Sequence, residues 1–486
     1  MKSRRRRTCD RLNIPFDPPQ IDEPTMSETT PAATTSSRPW YQRIGPGLIT
    51  ACVVIGPGSI VTSSRVGANE QYSMLWVVAV SVVFMMLYMT LGARLGVLAS
   101  KAPGDLIREK AGNGLAILVG CCAFFISAAF QSGNNIGVGA AFEAFPQTEN
   151  YVVGLIVVFN ALAISFLFVF KNLYKMLERV MMVFVAAMLI CFAINLLVLK
   201  PDVGAMAAGL IPSGGKSSGD KNVQELILSV LALVGTTFVI TAGYYQAYLV
   251  RQKGWTEPEL KSGLLDARIG SMIMFLITVM LMSTAAAGLY TGDVVKLGNP
   301  IDVANSLKTT FGPSAKIVFC FGLFAAAYSS FLVNSMIGGF ILADSLNLGS
   351  KPEDKWPRLL TTAALLTGMV IALATIVLGF DRTPTIIFAQ AVTVLGAPLI
   401  ACVLLWLTSR EDVMGSAKNS TAVNILGVIG LVLLVGMAVR TAFYSIPGSW
   451  EKWTNPPSAD APEEPTPDVV VPPETNDEPD DGQDDE

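Results

Sequence analysis

Two clusters of hydroxyls and helix breakers, set inside otherwise apolar runs, are the residues of this chain best placed to do chemistry. The first is Gly56-Pro57-Gly58-Ser59, within ACVVIGPGSIVTSS. The second is Gly235-Thr236-Thr237, followed a turn later by Thr241-Ala242-Gly243. Proline withholds a backbone donor, and glycine costs a helix interior about 1 kcal/mol relative to alanine. Both runs therefore predict interrupted helices with freed carbonyls, and the plain alternative is a pair of hinge kinks with no ligand. Carbonyl and hydroxyl oxygens at such a break are neutral ligands, suited to a hydrated hard cation or a small polar solute. Other chemistries find less support. The chain has no His, which rules out a zinc or haem site built on that residue. Six of the seven Cys (Cys52, Cys121, Cys122, Cys191, Cys320 and Cys402) lie in apolar stretches without CxxC spacing, and read as small apolar filler. No nucleophile–base pair is visible, so no enzymatic activity and no cofactor is expected.

The elements that must position these residues are membrane spans. Of 486 residues, 52% are hydrophobic and 15% charged, with a mean hydropathy of +0.52, which is far from the usage of a water-soluble domain. Crossing ~30 Å of hydrocarbon takes about 20 apolar residues. Segments that meet this lie near 44–66, 72–99, 114–144, 151–170, 177–199, 223–250, 264–290, 315–344, 358–379, 383–407 and 422–443. The chain thus reads as an all-α integral membrane protein of about eleven helices, with the lipid bilayer as its main partner. No nucleic-acid partner is indicated, and the oligomeric state is left open. The two breaks fall in the first and sixth helices, at corresponding positions of two five-helix halves. Paired interruptions of that kind point to a transport site between inverted repeats.

Charge sets the orientation and the ends. Residues 455–486 hold 12 of the 38 acids and no Lys or Arg, so the rest of the chain carries 34 basic against 26 acidic residues. Placing the N-terminus inside puts most loop Lys and Arg in the cytoplasm, among them Arg94, Arg108, Lys110, Lys175 and Arg251. The expected location is the cell membrane, with the C-terminal tail on the opposite side. Three regions follow: a disordered N-terminal segment (1–38), a transmembrane domain (40–443) and a disordered acidic, Pro-rich tail (455–486). Within the domain, repeat one is about 44–199, repeat two about 223–407, and 422–443 is an extra helix. The arginines at 4–7 are not followed by the apolar run of a secretory signal. Met26 is an alternative start.

GPGLITACVVIGPGSIVTSS, then VGANEQYSMLWVV, then GARLG at 92–96, resemble the opening of the Nramp family of divalent metal transporters, which typically reads GPG…DPGN…YxLLWV…ARLG. GTTFVITAGYYQAYLV at 235–250 and the run through Phe388-Ala389-Gln390 to Pro398-Leu399 are similar to that family's sixth and tenth helices. The resemblance covers about 40–443 and implies a LeuT-like five-plus-five inverted repeat with discontinuous helices 1 and 6. It also implies a metal site between them. The departures bear on the cargo. The Asp and Asn of DPGN fall on Gly56 and Ser59, flanking a retained Pro57 and Gly58. In the sixth helix the carbonyl that faces the ion belongs to Thr236. The Met of MPH falls on Val239, its His on Thr241, and a second His on Gln246. Acids of the third helix that line the proton route fall on Gln131 and Asn134.

What is left at the crossing is neutral. The resemblance implies a substrate site of Gly56, Ser59, Thr236, Thr237, Val239, Thr241 and Gln390, with Ser59, Thr236 and Gln390 as metal ligands. Pro57, Gly58, Gln131, Asn134, Asn135, Gly235 and Gln246 would support it or line the path. Loss of the thioether removes a preference for soft ions, so harder ions such as Mg²⁺ or Mn²⁺ are expected. With no ionisable group at mid-depth, proton coupling is not expected. Two alternatives stand beside this secondary transporter: a LeuT-fold carrier of a small organic solute or monovalent ion, and a non-transporting membrane sensor. Ser59 and the threonines could instead cap broken helices, and Asn134 and Asn135 could be interhelical glue.

Overall fold

The computed structural model describes residues 45–445 except 144, 146–150, 171, 213–229, 232, 293, 294, 296, 298, 299 and 381; of 262, 309–311, 382–392, 444 and 445 it describes the backbone alone. The segments 1–38 and 455–486, expected to be disordered, lie outside the described residues. Within them every regular element is a helix: α1 (Pro46–Val54), α2 (Pro57–Glu70), α3 (Leu75–Leu98), α4 (Pro103–Ala111), α5 (Asn113–Glu143), α6 (Val152–Val169), α7 (Leu173–Leu199), α8 (Val203–Gly209), α9 (Ile240–Lys253), α10 (Leu260–Gly288), α11 (Pro300–Phe311), α12 (Pro313–Ser345), α13 (Lys355–Val377), α14 (Arg382–Ser409) and α15 (Thr421–Arg440), joined by shorter turns.

Eight of these helices are long and apolar enough to span a membrane singly, and ten spans result when two bent pairs are each counted as one. One pair is α1 with α2, bent by 61°. The other is Thr393–Ser409 with Glu411–Ala417, bent by 70°. The one expected span left over, the sixth (223–250), is described only from residue 230, without 232, and is interrupted at Phe238 and Val239. Neither of its pieces reaches the length of a span alone, which is why that count stops at ten.

Burial divides the bundle. α12 and α10 are enclosed along most of their length, whereas α6, α7 and α15 turn large apolar side chains outward, such as Val183, Leu197 and Val432. In water such surface would aggregate; against lipid tails it needs no cover. Packing between spans relies on small residues rather than on burial from water. Gly92 and Gly96, one turn apart on α3, bring that backbone onto α9, where a Cβ would collide with the carbonyls of Gly243 and Ala247. Gly92→Val is expected to destabilise the fold by about 1–3 kcal/mol through overpacking. Thermal unfolding in detergent measures it, and an unchanged midpoint would show that α3 and α9 can part at no cost.

A broken first span between amide and hydroxyl neighbours

Pro57 opens α2 and has no amide hydrogen to offer the carbonyl of Val53. That oxygen accepts instead from the Ser330 hydroxyl of α12, at 3.2 Å. Pro57 itself fits because α5 carries Gly137 there, where a Cβ would run into the proline ring. Gly56 is extended (φ −123°, ψ −179°), a conformation any residue adopts. Its amide lies 3.0 Å from Ser59 Oγ and 3.2 Å from Val54 O. The Ser59 hydroxyl in turn donates to Gly56 O at 2.9 Å. Ser59 therefore spends its proton capping α2, the local role open to any serine at the third helical position; Gly58 is buried beside it.

The α5 amides are ordered by a chain of forced choices. The Phe331 carbonyl can only accept, so the Gln131 NH2 points at it, at 2.7 Å. Gln131 Oε1 then faces Asn134, whose Nδ2 donates to it at 2.7 Å. Asn134 Oδ1 is left pointing away, buried and with no hydrogen-bond partner. A Cβ added at Gly56 would lie 3.3 Å from this oxygen and 3.1 Å from Ser330 Oγ. Asn135 is committed elsewhere, donating to Gln131 O and accepting from Asn160 Nδ2, each at 2.7 Å. Gln131 and Asn135 are thus held as interhelical glue, while Asn134 presents a free acceptor at the break.

The second break has different neighbours. Gly235, Thr236 and Thr237 remain helical, and the non-helical residues are Phe238 and Val239. The sequence places this interruption one to three residues too early. The ladder closes with Phe238 N donating to Val234 O at 2.8 Å and resumes with Gly243 N reaching Val239 O at 3.4 Å. The carbonyls of Gly235, Thr236 and Thr237 fall between the two. Phe238 packs on Phe84 and Tyr88 of α3, with ring centroids 5.9 and 5.4 Å away. Its bulk makes this break more apolar than the glycine and threonines suggest. Thr236 Oγ1 turns back to Leu233 O at 3.3 Å. Thr237 is buried, and Thr241 carries a buried hydroxyl without a partner. Gly235, Val239 and Thr241 border a cavity of about 10 Å³, closed by Thr393, Val394, Leu434 and Met437 among others. Such a space holds about one water.

The first break therefore faces α5 and α12, and the second faces α3, α14, α15 and, through Ile126, another stretch of α5. What ties the two spans together is a pair nearer their other ends: the Thr50 hydroxyl of α1 lies 2.6 Å from Gln246 Oε1 of α9. Gln246 thus acts as a link between half-helices rather than as a residue of either break. Gln390 lies in α14, and its side chain is outside the described residues. Thr50 and Ser330 are the participants missed by sequence reasoning. Ser330 had a signal, being one of a polar set (Ser329, Ser330, Asn334, Ser335) in an otherwise apolar helix. The side chains described at the first break, Ser59, Asn134 and Ser330, are uncharged, and among the described residues no group of three or more His, Cys, Asp and Glu could hold a metal.

A membrane bundle whose first and sixth spans are both broken at buried backbone, with unpartnered oxygens beside the breaks, defines a carrier of the broken-helix class. The chain belongs to the Nramp family: the sequence model of that family, described as natural resistance-associated macrophage protein-like, matches residues 47–444. Among curated relatives, it is 24% identical over 403 residues to the divalent metal cation transporter MntH of Deinococcus radiodurans, covering 81% of this chain and 88% of that protein. To MntH of Levilactobacillus brevis it is 26% identical over 410 residues, with 80% and 86% covered. Its fold is similar to that of a manganese transporter of Eremococcus coleocola, at a TM-score of 0.71 and 18% identity over 89% of this chain and 92% of that one. It is also similar, at a TM-score of 0.55 and 16% identity, to MhsT in complex with L-phenylalanine, over 82% and 98% of the two chains. The all-helical LeuT-like fold and the family expected from the sequence are both found, and the chain is a multi-pass membrane transporter of the Nramp type.

Proposed function

We propose that this protein carries a divalent metal cation across the cell membrane as a secondary transporter. Its cargo enters at the first break, and harder ions such as Mg²⁺ or Mn²⁺ are preferred over soft ones. The observation that carries this reading is the unpartnered Asn134 Oδ1, which with Ser330 Oγ lies 3.1–3.3 Å from the position of a Cβ on Gly56. An acceptor oxygen buried without a partner is costly, and a hard cation or its bound water would satisfy it. The relatives' naming as divalent metal cation transporters supports the charge of the cargo; the hydroxyl and amide oxygens described at this break support its hardness. Ser59, Thr236, Thr237, Thr241, Val239 and Gln390 remain the family-implied lining, reached if the two breaks close on one another during the cycle.

Transport is proposed to be independent of protons, because the groups at the break do not titrate. The N-terminus is placed in the cytoplasm and the acidic tail outside, following the distribution of Lys and Arg. The rival cargo is a monovalent ion or a small organic solute. Neutral donors favour it, whereas the relatives' naming as divalent metal cation transporters favours the divalent reading. Proteoliposomes carrying a pH dye separate these readings. Mg²⁺ or Mn²⁺ uptake is expected without internal acidification. Metal uptake accompanied by acidification would remove proton independence, and amino-acid uptake without metal uptake would remove the divalent reading.

A further inference from the structure

α12 turns toward the first break the face that carries Ser330, whose hydroxyl donates to Val53 O. Asn334 follows one helical turn later on the same face. It is 0% exposed, and neither its Oδ1 nor its Nδ2 has a hydrogen-bond partner. One turn further, Gly338 packs against Ser127 of α5, and the Ser127 hydroxyl is likewise buried and unpartnered. Asn334 therefore lies on the stripe of α12 that runs from the break to the α5 seam.

Among the described buried amides, both ends of the side chain lack a partner only in Asn334 and in Gln252, and Gln252 borders a pocket of about 490 Å³ whereas Asn334 is fully enclosed. Gln131 and Asn135 each engage both ends of the side chain, as buried amides nearly always do. Leucine would fill the space of Asn334 without leaving a donor and an acceptor unpaired, so the fold alone gives no reason for an amide there. We propose that Asn334 is a further cargo-binding residue. The proposal rests on the first break being the cargo site. A hydrated hard cation meets both needs of the amide: metal-bound waters, or the metal itself, engage Oδ1, and outer waters accept from Nδ2. Asn134 Oδ1 would meet the same ion from α5. α12 thus supplies a wall of the cargo nest that the interrupted helices do not.

Two variants, compared with the parent chain in the same membranes, test this. Asn334→Leu is expected to lower Mn²⁺ and Mg²⁺ uptake by roughly tenfold or more. Its thermal midpoint in detergent without metal is expected to rise, because an unsatisfied polar group has gone. Asn334→Asp is expected to tighten Mn²⁺ binding, measured by calorimetry, since it adds a charge while keeping shape. Parent-like uptake by the leucine variant overturns the proposal. So does a lowered midpoint in both variants with no gain in affinity for the aspartate, the pattern of a purely structural amide. A leucine variant that fails to fold leaves the aspartate titration to decide. If the parent itself carries no divalent ion, the cargo reading fails before Asn334 is tested.

Discussion

Gly56→Asp should bind Mn²⁺ and Mg²⁺ at least about tenfold more tightly than the parent chain, which is roughly 1.4 kcal/mol. The backbone at Gly56 is extended (φ −123°), so the new side chain brings no backbone strain. Its Cβ would sit 3.1 Å from Ser330 Oγ and 3.3 Å from Asn134 Oδ1, close enough that both neighbours must shift by a few tenths of an ångström. The carboxylate then faces an acceptor that cannot pair with it. Without metal, a buried charge of this kind costs about 3–5 kcal/mol, and the thermal midpoint should fall. A divalent ion reverses the balance, because two acceptors that repel one another become two ligands. Saturating metal at a hundred times its dissociation constant would return about 2.7 kcal/mol of stability. The signature is therefore a variant that is less stable than the parent without metal and gains more from it. Equal affinity in calorimetry would mean that position 56 does not face the cargo.

Asp266→Ala is expected to have the largest effect on stability away from the breaks. α1 is a half-helix of nine residues, cut off from α2 by the break, so its own ladder holds it weakly. Its first amides are buried, and Asp266 of α10 accepts both: Gly45 N at 2.7 Å on Oδ1 and Gly47 N at 2.5 Å on Oδ2. The approach is possible because Gly47 and Gly270 have no side chains to separate α1 from α10. Beside Gly45, Lys253 closes an ion pair with Glu178 at 2.7 Å. A carboxylate at a helix N-terminus meets both the unpaired donors and the positive end of the dipole. Each charge-assisted bond is worth about 1.5–3 kcal/mol, so removing both should cost roughly 3 kcal/mol and lower the thermal midpoint by several degrees. Asp266→Asn, which keeps one good acceptor, should lose about half as much. Identical midpoints for all three chains would show that α1 is held by packing alone.

Gly56-Pro57-Gly58 was legible as a break because its cause is local. A proline that cannot donate and two glycines weaken any helix, whatever surrounds it. The second interruption was located less well. Thr236 and Thr237 tolerate a helix, and the chain departs from it only at Phe238 and Val239, where Phe238 stacks on two rings of α3. That choice was made by the partner helix, not by propensity. The third-helix amides divide in the same way. Their polarity inside an apolar run marked them as buried and paired, but whether each was glue or ligand depended on what faced it. Gln131 found Phe331 O, Asn135 found Asn160, and Asn134 Oδ1 found nothing. Ser330 and Thr50 went unnoticed because a lone hydroxyl in a membrane helix more often bonds its own backbone.

By itself the sequence determined the solvent, the apolar segments, the first break and the uncharged residues of the run that forms it. Each of these is set by residue type and spacing along one stretch of chain. Tertiary structure alone decided which oxygens stand free at that break and which are spent on neighbours. A hydrogen bond joins two groups, and where the second group lies on another helix, two hundred residues away as Phe331 is from Gln131, no reading along one stretch of chain can supply it.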